Sequence, residues 1–299
     1  MLSALLLAAA APAPPPAAVD PIVIPAALRS MLDAAMSAGD DAAVSTILKY
    51  TRAADPASAD AMLQIAQDWR NRRAQQRDER LRMASAFELW TGRIEAGGFA
   101  STGNSRVTGL TGVADIKREA LKWRHKLRMQ ADYQRSAGVT SREHYLASYE
   151  PNYKVDDRAY VYGSAQFEAD RFFGYEERYS LSVGAGYGAI RRPGMTLDVE
   201  LGPGFRHTGF TDGNTESSLA ARGSIDFDWK LASGLTLSQN ASAYVQRYNS
   251  TATGTTAVAA KLIGPLSAQL SYTVQYESEP PEGRVSTDTT SRASLVYAF

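Results

Sequence analysis

From Trp90 onward, apolar and polar residues alternate one by one. The clearest stretch is 121–133. Leu121, Trp123, Leu127, Met129, Ala131 and Tyr133 share one face, broken only by His125, while Lys122, Arg124, Lys126, Arg128, Gln130 and Asp132 share the other. A strand sends successive side chains to opposite faces, so one side of this stretch meets an apolar medium and the other meets water or charge. The pattern returns in 179–189, 195–201, 219–229 and 266–276. About twelve such segments are legible, centred near 95, 110, 127, 148, 164, 184, 199, 224, 241, 259, 271 and 294. Each is near the ~10 residues that cross a bilayer at a tilt. The second and ninth are the least regular. The expectation is an all-β closed antiparallel transmembrane barrel over 88–299, with odd positions of 121–133 and 219–229 facing lipid.

Connection lengths support this. The even connections read as tight, for example at Arg192–Gly194, Ala232–Gly234 and Gly264–Pro265. The odd ones read mostly longer: Ser136–Ser141, Arg171–Glu177, His207–Glu216, Asn249–Gly254 and Ser278–Thr287, with Thr102–Ser105 the short exception. Outer-membrane barrels have short periplasmic turns and longer outer loops. Aromatics on the apolar face fall at two depths. Trp90, Trp123, Tyr153, Tyr187 and Trp229 lie near one set of strand ends, and Tyr133, Tyr145, Tyr179, Phe205 and Tyr276 near the other. Interfacial belts of this kind are expected of a spanning barrel. Phe299, with Tyr297, Leu295 and Ala293 on its face, looks like the signal that barrel-assembly machinery reads.

The period before residue 88 is helical. Leu2–Ala11 and the Pro/Ala stretch after it read as a secretory signal over about 1–18, with an unclear cleavage point. A small α-helical periplasmic segment is expected over 22–86. Its first stripe is Leu28, Met31, Leu32, Ala35 and Met36, ended by Gly39. Asp40 or Asp41 caps a second helix with Val44, Ile47, Leu48 and Thr51. Asp55-Pro56 opens a third, carrying Met62, Leu63, Ala66 and Trp69 before an arginine-rich stretch from Arg70 to Arg82. Those arginines read as a solvated face, with an anionic periplasmic partner as the sharper alternative.

Composition narrows the function. Thirty-two basic and 32 acidic residues balance, so no global basic field points to nucleic acid. There is no cysteine, hence no disulfide framework and no cysteine-based zinc site. The three histidines, His125, His144 and His207, show no metal-ligand spacing. No Gly-x-Ser-x-Gly elbow accompanies His207 and its neighbours Thr208, Thr211 and Asp212. Asp156-Asp157 reads as a turn pair, and Gly184, Gly186 and Gly188 as small lumen-facing residues that relieve crowding. Neither a cofactor nor a catalytic residue is assigned. The lumen is the candidate site. Lys122, Arg124, Lys126 and Arg128 form a basic ladder on one strand, and Asp198, Glu200, Asp226 and Asp228 stand on the seventh and eighth strands. A lone charge in a dry interior is too costly to keep, so these groups either pair across the barrel or stand in water.

The stretch 88–299 resembles the outer-membrane family catalogued as domain of unknown function 481, also described as salt-induced outer-membrane proteins. The likeness rests on Thr102-Gly103-Asn104-Ser105, Lys122-Trp123-Arg124-His125-Lys126-Leu127, Asp170-Arg171-Phe172 with Gly174-Tyr175, Gly184-Ala185-Gly186-Tyr187, and Tyr297-Ala298-Phe299. It implies a barrel of that membrane, with lipid and lipopolysaccharide around it, and no established activity. Three functions stay open: a narrow porin-like channel or osmotic-response barrel, a closed barrel displaying its outer loops (Phe172, Phe173 and Tyr175 among them), and, most distantly, a lipid-acting enzyme.

Overall fold

A computed structural model describes residues 24–85, 87–101, 107–247, 249–280 and 285–299. The signal segment and the turn at Thr102–Ser105 lie outside these residues. The chain divides into two compact units at Arg80/Leu81.

The first unit is built on α1 (Ala26–Ser37), α2 (Asp41–Ala54) and α3 (Pro56–Met83). Pro25 precedes α1, and Gly39 takes φ +73° beyond its end. The Asp40 carboxylate accepts the Ala43 N–H at 2.9 Å and caps α2. Asp55 accepts the Ser58 N–H at 3.2 Å at the start of α3. Leu32, Ala35, Val44, Met62 and Ala66 form the buried cluster. Two expected stripe members differ. Met31 is exposed, and Ile65, not Leu63, packs on the cluster beside Trp69. Arg70 pairs with Asp41 at 2.7 Å, and Arg73 lies over the Trp69 ring.

The second unit holds twelve antiparallel strands closed into a barrel, each paired with its sequence neighbours and β1 with β12. They are β1 (Trp90–Ser101), β2 (Val107–Glu119), β3 (Trp123–Ser136), β4 (Val139–Lys154), β5 (Ala159–Asp170), β6 (Tyr175–Arg192), β7 (Met195–Phe210), β8 (Thr215–Ala232), β9 (Leu235–Gln246), β10 (Thr251–Ile263), β11 (Leu266–Glu277) and β12 (Thr287–Ala298). Despite their uneven pattern, β2 pairs without a register shift on either side, and β9 shows one only against β8, between Lys230 and Ala232. The exterior is apolar: Trp123, Met129, Leu181, Leu201, Leu219, Leu270 and Leu295 are all exposed. Such a surface is stable only against lipid, so the barrel spans a membrane. Both ends of the strand series lie at one end of the barrel, here the terminal end. The tryptophans Trp90, Trp123 and Trp229 stand there facing out, and Tyr133, Tyr145, Tyr179, Phe205 and Tyr276 face out toward the far end.

The far-end connections are shorter than the pattern suggests. β3 and β4 are joined by Ala137-Gly138 alone, both at positive φ, as a tight two-residue hairpin requires. β6 and β8 each run 18 residues, longer than an apolar layer needs. Above Tyr179, Phe205 and Leu219 the outer faces of β6, β7 and β8 turn polar, with Glu177, His207 and Ser217. The ladders continue past the lipid because paired hairpin backbones remain satisfied in water.

The closing seam is the shortest ladder, Arg93–Gly97 against Ala298–Ser294. Gly92 and Phe299 extend it with two backbone hydrogen bonds of 2.9 Å. A Cβ on Gly92 would sit 2.7 Å from the Phe299 ring, so glycine makes the room that ring occupies. Inside, the buried Glu95 accepts from Ser294 Oγ at 2.6 Å and Gln269 Nε2 at 2.8 Å, tying β1 to β12 and β11.

Candidate functional site: the lumen

Strand alternation sends every second residue inward, and the inner faces carry the charge. Arg124 donates to Asp198 of β7 at 3.4 Å and to Glu119 of β2 at 3.2 Å, and Asp198 also holds Arg191. Lys126 lies 2.9 Å from Glu150, 3.5 Å from Glu200 and 3.5 Å from Asp226. Arg222 bridges the same two glutamates, at 2.8 Å to Glu200 and 3.2 Å to Glu150. Glu200 accepts further from Tyr160 Oη and Ser224 Oγ. Two cations are thus shared among three carboxylates, and the most buried of these, Glu200, takes two hydroxyl donors as well, as burial demands.

The expected basic ladder needs correction at Lys122, while Arg128 keeps its place in the cavity wall. Lys122 lies in the β2–β3 turn, exposed, because the Ala120 N–H bonds the Trp123 carbonyl and the strand begins only at Trp123. Arg128 does not cross the lumen; it shares Asp115 of the adjacent β2 with Arg93, at 2.8 and 3.0 Å. Asp228 stands in the cavity wall near the terminal end, with no ion pair within 4 Å among the described residues. Arg124 and Lys126 are the members that reach β7 and β8.

The strands between supply bulk. Tyr160 and Tyr162 of β5 point inward and are 3% and 1% exposed. In the β5–β6 ladder they face Gly186 and Gly184. A Cβ at Gly186 would fall 2.2 Å from the Tyr160 ring, and one at Gly184 2.7 Å from Tyr162. The glycines thus make space for two inward tyrosines. The Arg222 guanidinium lies 5.0 Å from the Tyr162 ring and Arg124 5.3 Å from that of Tyr160.

Toward the far end the contacts run across the barrel. Arg178 of β6 meets Glu277 of β11 at 3.2 Å. Arg206 of β7 donates to Thr251 of β10 at 2.8 Å. Arg142 of β4 reaches Gln275 and Thr290 at 3.3 and 3.4 Å. Arg292 of β12 meets Asp132 of β3 at 2.6 Å. His144 lies between Asp132 and Glu168, 3.2 Å from each. Both ring nitrogens face carboxylate acceptors, an arrangement that suits the doubly protonated imidazolium. Tyr175, expected in an outer loop, points into the lumen beneath Arg178 and is 2% exposed.

A cavity of about 990 Å³ remains, lined from the Arg93–Asp228 level to the Glu277 level. On β9 to β11 its wall is hydroxyl and amide, with Ser238, Asn240, Ser242, Thr255, Thr273 and Gln275. A second cavity of about 350 Å³ opens at the far end beside Arg142, Asp170, Phe172 and Phe173.

Outside, His125 stacks between Trp123 and Tyr149 and bonds the Tyr149 hydroxyl at 2.8 Å, a satisfied position on the lipid face. His207 Nδ1 lies 2.7 Å from Ser217 Oγ. No hydrogen-bonded group orients its other nitrogen among the described residues, so the pair is not a triad. Parity through β4 turns His144 inward, as the sequence reads, and carried further it gives Arg142 and Glu150; the tyrosine–glycine pairs need the β5–β6 register.

The sequence matches the family described as Protein of unknown function, DUF481, over residues 94–299. The chain belongs to this family. The DUF481 match covers the barrel and excludes the helices. The uncharacterized protein YdiY of Escherichia coli (strain K12) is 27% identical over 217 residues, covering 72% of this chain and 86% of YdiY. Among solved structures, the NanC porin is 13% identical with a TM-score of 0.42, covering 69% of this chain and 98% of that one. The COG4313 outer membrane channel from Pseudomonas putida F1 is 8% identical with a TM-score of 0.44, covering 72% and 100%.

Proposed function

We propose that this chain is an outer-membrane barrel holding a narrow polar passage for small hydrophilic solutes. The short-turn terminal end and the helices face the periplasm, and the barrel is inserted by the assembly machinery that reads Leu295, Tyr297 and Phe299. The observation that carries the reading is the 990 Å³ cavity that persists beside the charge pairs. The pairs of Arg124, Lys126 and Arg222 occupy the β3–β8 sector and leave the hydroxyl and amide wall of β9–β11 uncovered. With most of the lumen charges paired on the facing strands, such a wall selects for size and hydration more than for sign. Twelve strands suit this, between the filled eight-stranded case and the sixteen-stranded porins.

A closed scaffold is the second reading. It is favoured by Arg178–Glu277, Arg206–Thr251 and Arg142–Gln275, which cross the far half. Planar-bilayer recording of the purified chain separates the two. Small, stable single-channel steps are expected; silence under conditions where a known porin conducts would leave the scaffold.

A further inference from the structure

Three residues before β1, the chain makes a closed turn. The Glu88 N–H bonds the Ser85 carbonyl at 3.2 Å, and the Glu88 carboxylate returns to the Ser85 N–H at 3.0 Å. Arg118 fixes this turn to the barrel. It faces outward, opposite Trp90 in the β1–β2 ladder. Its Nη2 donates to the Ser85 carbonyl at 3.0 Å and its Nε to the Glu88 carbonyl at 3.2 Å. The held turn presents Phe87, 93% exposed, and the last turn of α3 presents Met83, 87% exposed. Arg82 beside them is exposed and makes no ion pair among the described residues.

In water this placement wastes a phenyl ring that the turn's own bonds do not require. Three residues span at most about 10 Å, so Phe87 cannot lie far from Trp90. Trp90 opens the outward tryptophan girdle of the terminal end. The turn therefore lies close to the apolar exterior at Trp90, and the exposed Arg82 stands on the same segment. Aromatic rings with adjacent cations suit the headgroup layer, where rings reach the acyl boundary and guanidinium meets phosphate.

We infer that Met83 and Phe87–Trp90, beside the contacts of Arg118 with Ser85 and Glu88, form an interfacial anchor that seats Phe87 in the phospholipid headgroup layer at the terminal end of the barrel. The anchor fixes where the chain enters the membrane, and it holds whether or not the lumen conducts.

The chain has no cysteine, so single labels are straightforward. Full-length F87C, labelled with an environment-sensitive fluorophore, is refolded into phosphatidylethanolamine/phosphatidylglycerol vesicles brominated at shallow or deep acyl carbons. The label at 87 is expected to lose more than half its emission to shallow bromines and clearly less to deep ones. L270C, on the mid-strand exterior, should show the reverse order, and D212C, in a far-end loop, no loss. M83C repeats the test should F87C refold poorly. R118A in the F87C background should weaken the shallow quenching while L270C is unchanged. No bromine quenching at either 83 or 87, with L270C quenched normally, would overturn the anchor. So would self-quenching that rises with protein density without bromine quenching, which would put a second copy there. Unchanged quenching in R118A would overturn the holding role of Arg118.

Discussion

The two halves of the lumen handle buried charge in different ways. In the terminal half, Arg124, Lys126 and Arg222 find their carboxylates within one sector, from β2 to β8. The inward Tyr160 and Tyr162 pack beside them, and the opposite wall keeps its hydroxyls uncovered. In the far half the contacts end on the other wall, β6 with β11, β7 with β10 and β3 with β12. Chains of similar charge count can therefore line a passage or close one. What decides is the wall on which each contact ends, β2–β8 in the terminal half and β10–β12 in the far half. Buried pairs of either kind satisfy desolvation; only the second kind reaches the β10–β12 wall.

Breaking the terminal node should cost most. R222A leaves Glu150 and Glu200 with Lys126 as the remaining cation. Removing one partner of a buried pair costs about 3–5 kcal/mol, less where water reaches the orphan. Urea titration followed by the folded-to-unfolded band shift should report this; a loss well below 1 kcal/mol would mean that the node is already wet.

The packing beside the node gives a smaller effect. G186A forces a Cβ into the Tyr160 ring, whereas G112A meets nothing within 4 Å. Overpacking of this kind costs about 1–3 kcal/mol. Equal stability of the two variants would show that Tyr160 swings free, and that the filled sector is not rigid.

The far half should respond in the opposite sense. R178A/E277A removes both partners of one crossing pair, so no charge is orphaned and the stability change should be slight. Conductance should rise, because a bridge across the lumen has gone. If the double variant conducts no more than the parent, that bridge is not the constriction.

How much of this was legible follows from how strictly each environment constrains sequence. Lipid on one face enforces alternation, so Leu121–Tyr133 announced its faces, and the strand series with its tryptophan depth could be read directly. Arg124 and Lys126 were legible as inward charges by parity. So were Asp198, Glu200 and Asp226 as the acids that meet them across the barrel; Glu150, the direct neighbour of Lys126 in the β3–β4 ladder, was not singled out, because that needs the register of the two strands. Lys122 kept the parity of the ladder yet fell in the turn, since alternation does not mark where pairing starts. The far-end loops read too long because Glu177, His207 and Ser217 face water on strands that run past the lipid, where the apolar signal stops but the ladder does not. Tyr175 read as a loop aromatic beside Gly174, although it opens β6 and points inward.

The hydroxyl wall gives the smallest effect on stability and the most direct test of the passage. Thr255 and Thr273 face each other on β10 and β11 with their Oγ1 atoms 3.0 Å apart. T255V/T273V keeps the shape and removes both partners together, so neither hydroxyl is left unsatisfied by the other. Stability should stay within about 0.5 kcal/mol of the parent. The wall, however, becomes apolar over that stretch, and narrow apolar pores shed water. Conductance should fall while the band-shift midpoint holds. If the two valines leave the current unchanged, water and solute pass elsewhere, and the β9–β11 face is not the path. Should stability drop by more than about 1 kcal/mol, the two threonines hold the strands together more than they wet the lumen. The uncovered wall would then belong with the charged sector as a structural element, and the contrast between the two sectors would dissolve.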